Sequence, residues 1–366
     1  MGDEREELEK ALMDGSLWGR FCDTLKMAGN TIMGPKVPAD PLCRAEGFRY
    51  LTRITNAALQ VFVEHNDPLA PVLLRVVHET AKMGADNPDN YYQNAAISGE
   101  HEYRIWGNRG TVHYLAFATQ HGNYGESRGM PPTGHLDASN IDIGPDGSFE
   151  IICSADEKPG NWLPMTKETG TLIVRQTFLD RQNEEIADIH IECIGQDGRP
   201  TPFDPIRCAK GLQTSAGLAL GASMLFASWT EGFKKHVNKL PQMPPEVSNA
   251  AGGVPDIAYY HSYWELAPDE ALVIETTPPE CDHWNFQLNN YWMESLDYRY
   301  YPIHVNKHTA KYRPDGSVQV VVAAENKGFD NWIDTVGHSY GTMLWRWVRA
   351  SDNPEPQTRV VKLAEL

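Results

Sequence analysis

An internal repeat constrains the fold of this chain more than any other feature. The same series of short motifs occurs twice in the chain. In each copy a Pro-Asp-Gly-Ser sequence is followed by an Asn-Trp pair and then by a Gly-Thr pair that begins an apolar run ending in arginine. The offset between the copies grows from 169 to 171 residues, as in duplicated units whose loops accept insertions. This order of features predicts two related units, at 91–180 and 259–350. The matched segments are 145–148 with 314–317, 161–162 with 331–332, and 170–175 with 341–346.

Short apolar stretches between turn residues predict β-strands in both repeats. Before residue 85, apolar side chains at helical spacing predict helices, including one that starts at Asp40-Pro41 and a shorter one at 71–82. Asp204-Pro205 predicts the start of one long helix. We therefore expect a mainly β chain of two sandwich-like units with helices. The predicted organisation is a helical N-terminal region 1–85, a first β unit 86–200, a long helix and linker 201–255, a second β unit 256–350 and a tail 351–366.

The net charge of the chain is −17, which disfavours nucleic acid and anionic membrane surfaces because both attract lysine and arginine. The acidic N-terminus is not followed by a secretory signal, and no apolar stretch is long enough to cross a bilayer. Scattered cysteines without a metal-type pair indicate reduced thiols. We therefore predict a cytoplasmic protein whose partner is a small molecule. The apolar stripes of the N-terminal helices further predict a homo-oligomer, or packing of this region on the sandwiches.

The sequence contains no phosphate loop, nucleophile elbow, dinucleotide fingerprint or zinc-binding helix motif. We therefore predict no organic cofactor. Residues 120–134 are rich in Gly, Asn, Ser and Pro and predict a long loop, and loops of this length often carry function. A metal site around this loop is a minor alternative. Its ligands would come from His121, His135, Asp137 and Asp142.

One predicted strand distinguishes the second repeat from the first. Side chains alternate between the faces of a strand, so 283–289 places an imidazole and three amides on one face. Uncharged polar groups suit hydrogen bonding to a neutral polar ligand, which predicts a substrate-binding face. An exposed strand or an amide ladder within the fold is the alternative. At an offset of 170, the matched pairs are His283 with His113, Asn285 with Leu115, Gln287 with Phe117, and Asn289 with Thr119.

The segment after this strand concentrates aromatic, imidazole and amide side chains. Tyr298, Arg299 and Asn306 lie close together in the sequence, beside His304 and His308. Aromatic faces stack on a sugar ring or an oxygenated aromatic, while amides bond to hydroxyl groups. We predict that these residues complete the binding face. The alternative is an ordinary tyrosine-rich strand and turn.

A second candidate follows the Asn-Trp pair of the second repeat. His338 and Asp334 stand where the first repeat has Glu168 and Pro164. An imidazole oriented by a carboxylate can act as a general acid or base. Pairs of this kind also occur as purely structural contacts. The sequence leaves both interpretations open.

Arg175 and Arg346 occupy matched positions among aliphatic and aromatic neighbours. A buried arginine must be paired. Because both repeats have it, we predict that it belongs to the scaffold. Asp297 or Glu294 is the predicted partner of Arg346.

Four motifs lie together in the second repeat: Trp-Asn-Phe-Gln at 284–287, Glu-Ser-Leu-Asp-Tyr-Arg at 294–299, Asn-Trp-Ile-Asp-Thr at 331–335, and Gly-His-x-x-Gly-Thr-x-x-Trp-Arg-Trp at 337–347. They resemble a bacterial family known only as domain of unknown function 1214. The likeness covers roughly residues 255–350. It implies a β-sandwich of jelly-roll type. The family name carries no reaction, so the resemblance implies no catalytic residues.

Three functions are compatible with these observations. The first is a hydrolase or lyase that acts on a small neutral or weakly charged polar substrate, such as a glycoside or oxygenated aromatic, by His/Asp acid–base chemistry. The second is a non-catalytic protein that binds a carbohydrate or another small ligand, and the third is a structural subunit. A deep pocket favours the first and a shallow aromatic platform the second. The predicted catalytic residues are His283, His338 and Asp334, and the predicted substrate-binding residues are Asn285, Gln287, Asn289, Tyr298, Arg299 and Asn306.

Overall fold

The computed structural model describes residues 2–122, 130–250, 253 and 256–366. These residues form a mainly β fold with two compact units, each containing a β-sandwich of two four-stranded sheets. The fold class predicted from the repeat is therefore confirmed. The first unit comprises Met1–Gly34, Leu51–Ala81 and Asn90–Met224, and the second comprises Pro35–Tyr50, Lys82–Asp89 and Leu225–Leu366.

Helices precede the first sandwich and separate the two sandwiches in the chain. One begins at Pro41, where the Cys43 N–H donates to the side chain of Asp40 at 2.9 Å, as the Asp-Pro sequence predicts. The helix predicted at 71–82 is wrong. Leu74 instead forms an antiparallel bridge with Asn94, because pairing with a strand overrides a weak helical pattern. The helices are α1 (Gly2–Asp14), α2 (Ser16–Ile32), α3 (Pro41–Leu59), α4 (Pro205–Phe233) and α5 (Pro245–Ala250).

The first unit holds a sandwich with the sheet orders β1-β7-β3-β4 and β6-β5-β2-β8. Apolar side chains such as Phe117, Ile151 and Leu172 fill the space between its two sheets. The middle of the predicted long loop, residues 123–129, lies outside the described residues. The strands are β1 (Asn90–Ala96), β2 (Tyr103–Asn108), β3 (Tyr114–His121), β4 (Pro132–Asp137), β5 (Ser148–Ser154), β6 (Trp162–Pro164), β7 (Thr169–Thr177) and β8 (Asp188–Cys193).

The second unit holds a sandwich with the sheet orders β12-β11-β15-β9 and β14-β13-β10-β16. Its core is more aromatic, and the rings of Trp284 and Trp345 stack with centroids 4.9 Å apart. No helix among the described residues has the length and hydropathy needed to cross a membrane. The strands are β9 (Ile257–Glu265), β10 (Glu270–Thr276), β11 (His283–Asn289), β12 (His304–Asn306), β13 (Val318–Ala323), β14 (Trp332–Asp334), β15 (Tyr340–Val348) and β16 (Gln357–Lys362).

The two sandwiches have the same connectivity. Replacing each strand of the first unit by the strand eight positions later reproduces both sheet orders of the second unit. The Asn-Trp loops also match, because each asparagine donates its side-chain amide to two backbone carbonyls. The duplication predicted from the sequence is therefore confirmed. The bonds run from Asn161 to the carbonyls of Asp142 and Glu150, and from Asn331 to those of Lys311 and Gln319.

The observed units differ from the contiguous ranges predicted from the sequence. Parts of the N-terminal region 1–85 belong to both units. In the first unit, Leu8 and Leu17 of the first two helices pack against Ile206 and Ala209 of α4. This packing covers part of the apolar stripe, and the homo-oligomer stays a prediction. Residues 351–366 are not a free tail, because β16 pairs with β10 along its length.

Candidate functional site

Strand pairing shows which residues of the two units are equivalent. Arg175 of β7 lies opposite Ala116 of β3, and Arg346 of β15 lies opposite Asn285 of β11. Asn285 therefore matches Ala116 rather than Leu115, and the offset of 170 used for this strand is wrong by one residue. The error arose because His113-Tyr114 and His283-Trp284 are both a histidine followed by an aromatic residue, although the two histidines are not equivalent. The predicted contrast between an apolar first unit and a polar second unit still holds at this position, because the alanine is apolar and the asparagine carries an amide.

The predicted binding face of β11 and β12 is buried by the protein itself. Its amides and the imidazole of β11 are at most 2% exposed. Residues 82–89, which belong to the same unit, contact this face and supply hydrogen-bond partners. The buried side chains are His283, Asn285, Gln287, Asn289 and Asn306.

Asp89 is the centre of this buried network. Its carboxylate accepts from the side-chain amides of Asn285 at 2.8 Å and Asn306 at 2.9 Å. The Nε2 atoms of His283 and His304 each lie 3.2 Å from it. Burial alone would raise the pKa of Asp89. The two imidazoles lower this pKa by more than burial raises it, so it lies well below the usual value. His283, a predicted catalytic residue, therefore has a buried carboxylate as its partner.

Arg346 extends the network along β15. Its guanidinium donates to the side-chain oxygen of Asn285 at 3.2 Å, to that of Gln287, and to the backbone carbonyl of Ala85. A buried guanidinium bonded in this way locks strand β11 to residues 82–89. The prediction that this arginine belongs to the scaffold agrees with these contacts.

The remaining amides are also bonded within the protein. Gln287 Nε2 donates to the carbonyl of Asp86 at 2.8 Å and to the side-chain oxygen of Asn289 at 2.6 Å. Asn289 Nδ2 donates to the Thr342 hydroxyl at 3.2 Å. Buried polar groups of a stable core are satisfied in this manner. The predicted substrate-binding amides therefore form the ladder within the fold that the sequence left as the alternative.

Tyr298 and Arg299 lie near this network and contact protein groups. The ammonium group of Lys82 sits 4.7 Å from the centre of the Tyr298 ring, and His304 meets that ring edge-on at 6.3 Å. Arg299 forms a two-pronged pair with Asp297, at 2.9 and 2.7 Å. The carboxylate of Asp297, a predicted partner of Arg346, is thus engaged by its neighbour Arg299.

A cavity of about 320 Å³ lies elsewhere in the second unit, beside His338. Gly337 and Ser339, which flank this histidine, are exposed, so the cavity opens to solvent. Its volume is at the lower end of the range for small-molecule pockets. The lining residues are Asp40, Leu42, Cys43, Glu46, Tyr291, Gly337, His338, Ser339 and Tyr340.

The start of helix α3 and the turn between β14 and β15 build this cavity. Asp40, Cys43 and Glu46 are three residues apart and share one side of the first helical turns. The hydroxyl of Tyr340 donates to the Asp40 carboxylate. None of these residues was predicted as a site residue. The Asp-Pro helix start was their only sequence signal, and it does not indicate which part of the chain they meet.

His338 forms an ion pair with Glu46. The histidine Nε2 lies 3.2 Å from Glu46 Oε2, and Nδ1 lies 3.1 Å from the carbonyl oxygens of Thr335 and Val336. Acceptors at both ring nitrogens favour the doubly protonated imidazolium. Burial lowers the pKa of His338, but the hydrogen bond and charge of Glu46 and the two carbonyls raise it more. The net pKa therefore lies above the usual value.

Asp334 shapes the turn that presents His338. Its carboxylate accepts the N–H of Val336 at 2.7 Å, and Val336 and Gly337 have φ of 51° and 77°. A positive φ is strained in a β-branched residue, and such strain often accompanies functional sites. The prediction that Asp334 orients the imidazole directly is corrected, because Glu46 is the carboxylate bonded to the ring.

The thiol and phenol groups of the cavity wall are protonated. Burial raises the pKa of Cys43 to about 12, and a thiol with such a pKa is not a nucleophile at neutral pH. Burial, with Asp40 beside it, raises the pKa of Tyr340, and burial likewise raises that of Tyr291, whose hydroxyl donates to Glu231 at 2.8 Å. The imidazolium–carboxylate pair is therefore the group suited to proton transfer.

The described residues give no support to the minor metal site. In the part of the chain that the structure describes, no group of three or more His, Cys, Asp or Glu side chains could hold a metal ion. Asp137 instead caps a short turn by accepting the Ser139 N–H at 2.8 Å. His121 and His135 lie on the paired strands β3 and β4.

These features define a protein with two duplicated β-sandwiches and an imidazole–carboxylate ion pair beside a cavity in its second unit. A crystal structure of an uncharacterized protein from Burkholderia cenocepacia is 51% identical to this chain, covers 98% of it and 99% of its own length, and superposes with a TM-score of 0.95. The chain belongs to the same family as that protein.

A more distant structure shares the fold. The VPA0106 protein from Vibrio parahaemolyticus is 12% identical, with 93% of this chain and 100% of that chain covered and a TM-score of 0.51. Neither a family model nor a curated protein matches the sequence.

Proposed function

We propose that this protein is an enzyme that acts on a small, neutral or weakly charged polar substrate in the cavity beside His338. The observation that carries the proposal is the His338–Glu46 pair. An imidazole with a raised pKa, bonded to a nearly buried carboxylate, lines a cavity that is open to solvent. Perturbed titratable groups in a cleft are characteristic of catalytic sites.

The imidazolium of His338 is the proton donor in this proposal. Its 3.2 Å separation from Glu46 is longer than the roughly 2.7–2.9 Å of a strong charge-assisted bond. Because the carbonyls of Thr335 and Val336 hold Nδ1, the donated proton comes from Nε2, which exchanges its long bond to Glu46 for one to the substrate. After donation, the neutral imidazole can take a proton back as a base. Glu46 stabilises the charged form, and the turn fixed by Asp334 positions the ring.

The cavity wall favours a substrate that combines a ring with hydroxyl groups. Tyr291, Tyr340 and Leu42 supply aromatic and apolar surface, while the carboxylates of Asp40 and Glu46 accept hydrogen bonds. Stacking surface with a few directed polar groups suits a glycoside or an oxygenated aromatic. Hydrolysis or elimination of such a substrate needs proton transfer, which these residues can supply.

We also propose that the second unit is a member of the family of domain of unknown function 1214. Three of the four motifs that support this lie on β11, β14 and β15 and in the turn between the last two, and the motif at 294–299 lies between β11 and β12. One of them contains His338 itself. The proposed acid would then belong to the motif that marks the family.

The experiment is a turnover screen with variants of the pair. A panel of nitrophenyl glycosides and of phenolic esters and ethers is assayed with the full chain, and active substrates are tested on His338→Asn and Glu46→Gln. Loss of a general acid lowers turnover about 10²–10⁴-fold. His101→Asn, a histidine substitution in the first unit, is the matched control and should leave the rate unchanged.

The screen separates the possible functions. Full turnover by a folded His338→Asn variant would overturn the proposal. A compound that binds in the cavity, is never converted and loses affinity in the same variant would support the non-catalytic alternative.

A further inference from the structure

The outer faces of two equivalent sheets differ between the units. Strand pairing matches Trp106 of β2 to Glu275 of β10. Trp106 lies opposite Glu150 and Glu275 lies opposite Gln319, and these two partners each come two residues after a Pro-Asp-Gly-Ser sequence. In the second unit Glu275 forms ion pairs with two arginines on this face. The pairs are Glu275 with Arg313 at 2.8 Å and Glu275 with Arg359.

The first unit has neither the carboxylate of Glu275 nor the guanidinium of Arg313 at the equivalent positions. Counting from the shared Pro-Asp-Gly-Ser turn, Gly144 stands where the second unit has Arg313. The indole of Trp106 therefore stands where the second unit has the carboxylate of Glu275. Gly144, which has no side chain, stands where the second unit has one of the two arginines paired with that carboxylate. A groove of about 520 Å³ lies on this face, lined by Trp106, Arg104, Glu150, Asp142 and residues 159–161.

The indole of Trp106 is fixed by its neighbours and remains partly exposed. It stacks on His190, with centroids 5.4 Å apart, and the Arg104 guanidinium lies 4.6 Å from its ring centre. Arg104 is in turn held by Glu150 at 2.7 Å and by Glu192 at 3.4 Å. A side chain restrained from several sides loses little entropy on binding a ligand.

We propose that this groove binds a neutral oligosaccharide. The part of the Trp106 indole that His190 and Arg104 leave exposed offers apolar surface to the C–H groups of a sugar. The carboxylates and the guanidinium of the groove bond its hydroxyl groups. Two carboxylates, Asp142 and Glu150, against the one guanidinium of Arg104 disfavour an anionic ligand. The groove lies wholly in the first unit, so the proposal does not rest on the cavity beside His338.

The test measures binding of cellotetraose, maltotetraose and chitotetraose to the full chain by calorimetry and saturation-transfer NMR. We expect at least one to bind, and Trp106→Ala to weaken it by about tenfold or more. Trp18→Ala removes an exposed indole from α2 and should change nothing. The double variant Trp106→Glu, Gly144→Arg imports the ion pair of the second unit and should abolish binding while the circular dichroism stays that of the folded protein.

Two results would overturn the proposal. One is that none of the three oligosaccharides binds the wild-type protein at millimolar concentration. The other is binding that Glu46→Gln abolishes and Trp106→Ala leaves intact, which would assign the sugar to the cavity of the second unit.

Discussion

Asp89→Asn tests whether the polar face of β11 is a structural network. The substitution keeps the shape of the side chain, removes its charge, and turns one acceptor oxygen into a donor. Each carboxylate oxygen accepts from two donors: Oδ1 from Asn306 and His304, Oδ2 from Asn285 and His283. Two donors therefore face an N–H group in the variant.

The structure sets the size of the effect. Each buried donor left without a partner costs about 1–3 kcal/mol, and breaking a buried charge network typically costs about 3–5 kcal/mol. We therefore expect the free energy of unfolding to fall by about 3–5 kcal/mol, or roughly 6–20 °C in the melting of the second unit. Because the pKa of Asp89 is lowered on folding, its stabilisation is present above about pH 3.9 and is lost as pH falls toward the folded pKa.

Urea unfolding followed by tryptophan fluorescence measures this loss. Asp330→Asn changes an exposed aspartate of the same unit and should alter stability by less than about 0.5 kcal/mol. An Asp89→Asn protein within about 1 kcal/mol of wild type would refute the network interpretation. The face would then again be a candidate for ligand binding.

Two further predictions concern the second unit. Gly341→Ala should destabilise it by about 1–3 kcal/mol, because a Cβ there would lie 2.2 Å from the carbonyl oxygen of Asn289. The contrasting substitution Gly217→Ala lies in an open part of α4 in the first unit and should stabilise that unit by about 0.5–1 kcal/mol. A Gly341→Ala protein with the urea midpoint of wild type would contradict the strand geometry. The His338–Glu46 pair should stabilise the fold fully below the unfolded pKa of about 6.5 and lose this effect as pH rises through the raised folded pKa; urea midpoints of wild type and Glu46→Gln should therefore converge at alkaline pH, and a constant difference would count against the pair.

The sequence predicted the architecture because the same turn residues recur in both copies of the repeat and show which segments are equivalent. Turn residues such as Gly147 and Gly316, both at positive φ, recur at the same place in each copy and fix where strands begin. Side-chain orientation needs an accuracy of one residue, since a shift of one moves every side chain to the other face. A single misplaced insertion was enough to match Asn285 with Leu115 instead of Ala116.

The site could not be predicted because its residues are far apart in the chain. Glu46 and His338 are separated by 292 residues, and Asp89 and Asn306 by 217. Periodicity and motifs report on local structure. The amide pattern of β11 therefore showed that these side chains need hydrogen-bond partners, but not which residues supply them. His338 was found because its turn differs between the repeats, whereas Glu46 lies on a helix outside the predicted repeat.

The most direct test of the proposed acid–base pair is the titration of His338 by NMR. The C–H resonances of the imidazole, assigned by comparison with His338→Asn, give the pKa in wild type and in Glu46→Gln. We predict a pKa above the usual 6.5 in wild type and a clear decrease in Glu46→Gln. A wild-type pKa at or below 6.5, or one that Glu46→Gln leaves unchanged, would contradict the account of this site.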